Sequence, residues 1–223
     1  MRDEDILKEL EEYRRIIRGI LEVFESIPFH IVIKIATDRD VEDFNLSNAH
    51  DRSLVEDLKL LADITMSYFY DSIISIGRIN EVSNYLEEQV PIMFKNNKHC
   101  FKVIQDVRRL GGSGYPDLIV LDVYGGVTYI DIKATQRPST GSPRDFYITP
   151  LRETRRKINH SGKHCVLGFV IDGKPNSFKI VGWKLVNLYN IRLRLKPEFN
   201  CTNLELYREE NILAENNIEP SYL

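Results

Sequence analysis

Apolar positions in the first part of the chain recur at helical spacing. Ile6, Leu10, Tyr13, Ile17, Ile20, Leu21 and Phe24 fall three or four residues apart with Glu, Lys and Arg between them, which predicts an amphipathic helix over residues 3–26, closed by Pro28. Residues 29–49 are ambiguous: Ile31-Val32-Ile33-Lys34-Ile35 fits a short strand, and the polar, acidic stretch from Thr37 to His50 reads as a loop. A second helix is predicted over 51–75, with Leu54, Leu58, Leu61, Ile64, Tyr68 and Ile73–Ile74 on its apolar side, suited to a core or a subunit interface. A third, over about 79–90, is expected to end near Pro91.

From residue 99 the period shortens to two. Residues 99–109 read as a strand, Gly111-Gly112-Ser113-Gly114 as a connector, and 117–124 as a strong strand. The Gly125-Gly126 turn leads into 127–134, so the last two strands form a predicted hairpin. Turn residues crowd 136–149, which predicts an exposed loop, and a basic helix follows at about 150–159. Residues 164–172 and 177–188 complete the set as strands joined through Asp172-Gly173-Lys174-Pro175-Asn176. Helices first and then a β-β-β-α-β-β block predict an α/β protein of the α+β kind. One domain over 1–223 is the simplest count, with a helical N-terminal region at 1–76 for dimerisation or clamping and a core at 77–190.

Charge changes this picture more than bulk composition does. The net charge of the 223 residues is -3, but residues 101–200 hold 17 Lys and Arg against 8 Asp and Glu, a local +9, while the remainder holds 13 against 25, or -12. A basic block inside an acidic chain suits an anionic polymer. Three scattered cysteines, Cys100, Cys165 and Cys201, include no CxxC pair and argue against a disulfide framework or a zinc ribbon. Met1-Arg2-Asp3-Glu4-Asp5 is not the opening of a signal peptide, and no apolar run reaches membrane-spanning length, so a soluble cytoplasmic protein is expected.

The candidate chemistry lies on the hairpin. Asp117 opens one strand after Pro116, and Asp131-Ile132-Lys133 sits on the other. Alternation puts Asp131 and Lys133 on one face and Ile130 and Ile132 on the opposite one, and pairing brings Asp117 across from that neighbourhood. A carboxylate amid Thr128-Tyr129-Ile130-Asp131-Ile132 is costly to bury unless a cation compensates. Two carboxylates offer hard oxygens to Mg²⁺, and a lysine nearby positions water and offsets charge on a phosphorane. The set therefore points to hydrolysis of a phosphodiester. A solvated Asp/Lys pair on a hairpin face is the plain alternative. His160, His164 and Cys165 have no evident fourth ligand and read as structural.

Pro116-Asp117 followed by Asp131-Ile132-Lys133 resembles the PD-(D/E)xK nuclease signature in its D-x-K form. Asp131-Ile132-Lys133-Ala134-Thr135 is similar to the run found in type II restriction endonucleases of the EcoRV and HincII group, with Ala134 in place of a threonine. The resemblance covers about residues 80–172 and implies a restriction-endonuclease-like core, a central mixed β-sheet flanked by helices. It implies that Asp117, Asp131 and Ile132 ligate Mg²⁺, with Mn²⁺ as a substitute, and that Lys133 acts on water and phosphate. A further glutamate from a helix before the sheet is also implied; Glu81 fits, with Glu88 and Glu56 as competitors. Thr135, Gln136, Arg137, Ser139, Thr140 and Arg144 on the following loop would reach DNA, and Arg152, Arg155, Arg156 and Lys157 would contact phosphates. The implied function is Mg²⁺-dependent cleavage of double-stranded DNA at a short palindromic site, by a homodimer paired with a DNA methyltransferase. A repair or junction-resolving nuclease and a non-catalytic DNA-binding protein are the alternatives.

Overall fold

The computed structural model describes residues 10–19, 26–112, 114–137, 148 and 156–194. They fall into two units. One consists of the chain ends, Met1–Glu25 with Arg194–Leu223, and its described part is the helix α1 at residues 10–19, inside the predicted 3–26 span, together with Arg194. The other, Ser26–Leu193, holds every other described element. No helix among the described residues is long and apolar enough to cross a membrane.

The second unit opens with a two-residue strand β1 (Ile27–Pro28) and the helix α2 (Phe29–Thr37), followed by β2 (Val41–Glu42). The short strand that fitted Ile31–Ile35 is not formed. Phe29, Ile33 and Thr37 stand four apart and are all buried, so a helical stripe beats the local β-branched preference of the run. Helix α3 (Ala49–Asp71) starts where the Asn48 side chain accepts the His50 amide at 2.8 Å. Helix α4 (Ile79–Asn96) runs straight through Pro91, where its end was expected. Proline removes one i→i−4 bond, and burial of Val90, Met93 and Phe94 around it outweighs that loss.

After a 3₁₀ turn at Lys98–Cys100 come β3 (Ile104–Arg109), β4 (Leu118–Asp122), β5 (Val127–Gln136), β6 (Gly162–Lys174), β7 (Ser177–Asn187) and β8 (Arg192–Leu193). The main sheet has the order β2-β6-β5-β4-β3, with β7 also on β6. It is mixed: β5–β6 and β2–β6 run parallel, and β3–β4, β4–β5 and β6–β7 antiparallel. The β4–β5 hairpin is the predicted one. β1 and β8 pair separately.

Two apolar clusters flank the sheet. The larger joins α3 and α4, through Leu54, Leu58, Leu61, Val82, Leu86 and Val90, to Ile130, Ile132, Leu167 and Phe169. The predicted 51–75 helix thus sits in the core, with Tyr68 and Tyr70 turned outward. The smaller sets Phe29 and Ile33 of α2 against Tyr115, Tyr129, Ile158 and Leu188. A central mixed sheet flanked by helices is the fold class expected. Cys100 is exposed and Cys165 buried, both as free thiols. His164 is fully buried and its ring Nδ1 lies 2.6 Å from the Tyr115 hydroxyl; burial drives its pKa down to about 3, so it is a neutral core residue, as read from the sequence.

Candidate active site

The site arises where β4 and β5 stop pairing. Their ladder ends at Leu118↔Ile130, while β5 continues alongside β6 as far as Gln136. Beyond Ile130 the amides on the β4 side of β5 need other partners. The Asp117 carboxylate accepts the Ile132 amide through Oδ2 at 2.7 Å, and Ser83 Oγ of α4 accepts the Ala134 amide at 2.9 Å. Asp117 is itself pinned by its own amide on the Ile130 carbonyl at 3.0 Å and its carbonyl on the Leu110 amide at 2.7 Å. In a strand the amide and carbonyl of one residue point the same way, so the Ile132 carbonyl is directed at the same open edge.

Asp131 and Lys133 share a face of β5, and Lys133 Nζ forms an ion pair with Asp131 Oδ2. Asp131 is only 2% exposed, and Oδ2 is sealed from solvent without a well-aligned hydrogen bond. Among the described residues, the half-exposed Lys133 ammonium meets its charge. Burial pushes the Asp131 carboxyl up to about 7; Lys133 opposes this, and the Asp117 and Glu87 charges add to it. Asp117 is raised too, first by burial, against the Ile132 amide and the Lys133, Lys157 and Arg109 charges.

The third acid facing this pair is Glu87 of α4, not Glu81. Burial raises its pKa, the Asp117 charge raises it further, and Arg109 counters. Arg109 of β3 holds Glu87 at 3.1 Å and Glu88 at 2.9 Å. Glu81 is exposed in the first turn of α4, where a negative charge complements the helix dipole. Glu56 pairs with Lys59 on the surface. The sequence does carry a signal for Glu87: it stands one turn after Ser83, and those two positions face the open edge of β5.

Thr135 and Gln136 continue β5 out of the site half-buried, Gln136 Nε2 donating to the Gly173 carbonyl at 3.0 Å, and Arg137 follows exposed. Arg156 is exposed. Ser139, Thr140, Arg144, Arg152 and Arg155, with the predicted 136–149 loop beyond Arg137 (apart from Ile148) and most of the 150–159 helix, lie outside the described residues. Lys157 departs from the phosphate contact expected of it. It is 8% exposed, and its ammonium donates to the carbonyls of Gly112 at 3.1 Å and Pro116 at 2.9 Å and to that of Gly114.

Among the described residues no three or more His, Cys, Asp or Glu side chains converge to hold a metal ion. A divalent cation would rest instead on Asp117, Asp131 and the Ile132 carbonyl, all hard oxygen donors. The under-compensated Oδ2 of Asp131 fits such a cation.

Charge of the kind that handles a phosphodiester gathers at the open end of this hairpin, and the sheet that carries it is of the restriction-endonuclease kind; the class is a nuclease. The family comes from the whole chain. A model of the Type II restriction enzyme MjaV family matches residues 23–210, and the chain belongs to that family. It is 27% identical to the Type II restriction enzyme MjaV of Methanocaldococcus jannaschii over 229 aligned positions, spanning 94% of this chain and 97% of that protein.

Proposed function

We propose that the protein is a Mg²⁺-dependent endonuclease that cuts double-stranded DNA at a short palindromic site, as a homodimer, with Mn²⁺ able to substitute. Membership of the type II restriction enzyme family makes it a site-specific deoxyribonuclease acting on DNA. The metal and the mode of cutting rest on the hairpin. One observation carries them: a 2%-exposed carboxylate, Asp131, under-compensated beside Asp117 and Lys133.

When bound, the metal would polarise a phosphate oxygen and stabilise charge on the leaving group. Asp117, Asp131 and the Ile132 carbonyl would hold it. Lys133, oriented by Asp131, holds the attacking water and faces the charge that grows on the phosphorane. Glu87 replaces Glu81 as the helix-borne acid, kept in place by Arg109. Thr135, Gln136, Arg137 and the loop that follows, with Ser139, Thr140 and Arg144, are assigned to the DNA grooves. Arg152, Arg155 and Arg156 are assigned to phosphates. Residues 77–190 are assigned the catalytic core, and the 1–76 region is assigned dimerisation or DNA clamping. A DNA methyltransferase protecting the same site, in the same cytoplasm, is the expected functional partner.

The test is digestion of unmethylated phage DNA with purified protein and Mg²⁺. Discrete fragments with defined ends support the reading, and Asp131→Ala and Lys133→Met should each lower the rate by about 100-fold or more. Cutting confined to branched DNA, or none with Mg²⁺ or Mn²⁺, would sink it.

A further inference from the structure

Lys157 lies in a basic run yet points inward. A lysine ammonium carries three donors, and here three carbonyl oxygens converge on it, from Gly112, Gly114 and Pro116. These residues belong to one short loop between β3 and β4, closed at its ends by the Leu110 amide on the Asp117 carbonyl at 2.7 Å. Gly112 and Gly114 have φ of +88° and +81°, so the loop depends on glycine conformations that have much freedom to lose. Carbonyls that point at a common centre repel one another unless a cation sits there. The ammonium supplies it, and the loop ends at the residue whose carboxylate takes the Ile132 amide at 2.7 Å.

We propose that Lys157 is a positioning residue: its ammonium, seated on the Gly112, Gly114 and Pro116 carbonyls, holds the glycine loop in the shape that delivers the Asp117 carboxylate to the open edge of β5. The functional consequence rests on the nuclease reading given above; the structural one does not. Lys157 stands in the stretch that leads into β6, so it ties the approach to β6 to the loop before β4. Both are thereby tied to the same carboxylate.

The test compares the wild type with Lys157→Met, which keeps the apolar stem and removes the donors. Hydrogen exchange without metal or DNA reads the position of Asp117 directly. The Ile132 amide should exchange at least about tenfold faster in the variant, while Phe169 and Ile180 in the β6–β7 pair keep their protection. The Mg²⁺ concentration for half-maximal cleavage should rise by about 10- to 100-fold, with a smaller change in rate at saturating Mg²⁺. DNA affinity measured without divalent metal, and its salt dependence, should stay at the wild-type values.

Unchanged exchange at Ile132 would overturn the proposal, and so would an unchanged Mg²⁺ requirement. So would weaker DNA binding with a salt slope reduced by about one, the mark of a lost phosphate contact. If Lys157→Met does not fold, Lys157→Arg is judged by the same readouts. Its planar fork cannot address three converging carbonyls as an ammonium does, so faster Ile132 exchange is again expected. If the wild type cuts no DNA while exchange at Ile132 still responds, the nuclease reading fails and the positioning role stands.

Discussion

Replacing Asp131 by Asn should make the metal-free protein more stable, and only above a certain pH. In the fold, burial raises this carboxyl from an ordinary 3.8 to about 7. Below pH 4 the folded and unfolded chains both carry the proton, and the group is neutral to stability. Between pH 4 and 7 the unfolded chain has lost the proton and the folded one keeps it, so stability falls as pH rises. Above 7 both are ionised and the folded state bears the whole penalty. The interval between 3.8 and 7 corresponds to about 4 kcal/mol, a ceiling that solvent and side-chain relaxation reduce to roughly 2–4 kcal/mol. The amide of the Asp131→Asn variant has nothing to ionise, and it also relieves Asp117 and Glu87, which Asp131 repels. Urea unfolding in EDTA at pH 5, 6, 7 and 8 measures the difference. Wild type and variant should differ least at pH 5 and diverge to the full amount at pH 8. Added Mg²⁺ should then recover stability for the wild type and not for the variant. A difference constant across pH, or a variant less stable at pH 8, would refute the claim that Asp131 is held at a cost to the fold.

Three further outcomes follow from other contacts. Glu87→Gln should raise the Mg²⁺ requirement for cleavage by about tenfold or more while Glu81→Gln leaves it alone; the reverse result in a Mg²⁺ titration would restore Glu81. Ser83→Ala strips the Ala134 amide of its partner, and should cost about 1–3 kcal/mol in urea unfolding and speed exchange at Ala134; an unchanged exchange rate would mean that the amide is satisfied otherwise. Asp57, 2% exposed on α3, accepts the amides of Lys102, Val103 and Ile104 at 2.7–3.1 Å, so Asp57→Ala should destabilise by about 3 kcal/mol or more, with β3 fraying first. A loss below about 1 kcal/mol would show that water replaces the carboxylate there.

The parts of the site that sequence revealed are those set by local rules. A Gly-Gly turn between two alternating strands fixes the hairpin, and extending its antiparallel register past Leu118↔Ile130 brings Asp117 opposite Asp131. What escaped depended on distant partners. The run Ile31 to Ile35 looks like a strand until Phe29 and Ile33 find Tyr115 and Tyr129 across the sheet. Pro91 looks like a stop until Met93 and Phe94 are seen buried beyond it. Glu81 and Glu87 are both glutamates on a helix before the sheet; only the rotation of α4, fixed by Val82, Leu86 and Val90 in the core, turns Glu87 to the acids. Lys157 belongs to a basic run in every local respect, and its burial is decided by the glycine loop between β3 and β4, far back along the chain.

The hydrogen-bond accounting of β5 explains why the acids sit where they do. A strand that outlasts its neighbour exposes amides that must be satisfied, and the two satisfied here, Ile132 and Ala134, flank Lys133. Their acceptors come from different elements, the approach to β4 and the helix α4. Lys133 is therefore framed by contacts that both elements must maintain together. If either slides, a backbone amide in a part-buried edge loses its partner, at roughly 1–3 kcal/mol. The fold thus defends the spacing between Asp117, Asp131 and Lys133 with main-chain bonds, while the side-chain charges oppose it. A divalent metal would reconcile the two, which is why its removal should be felt in stability as well as in cleavage.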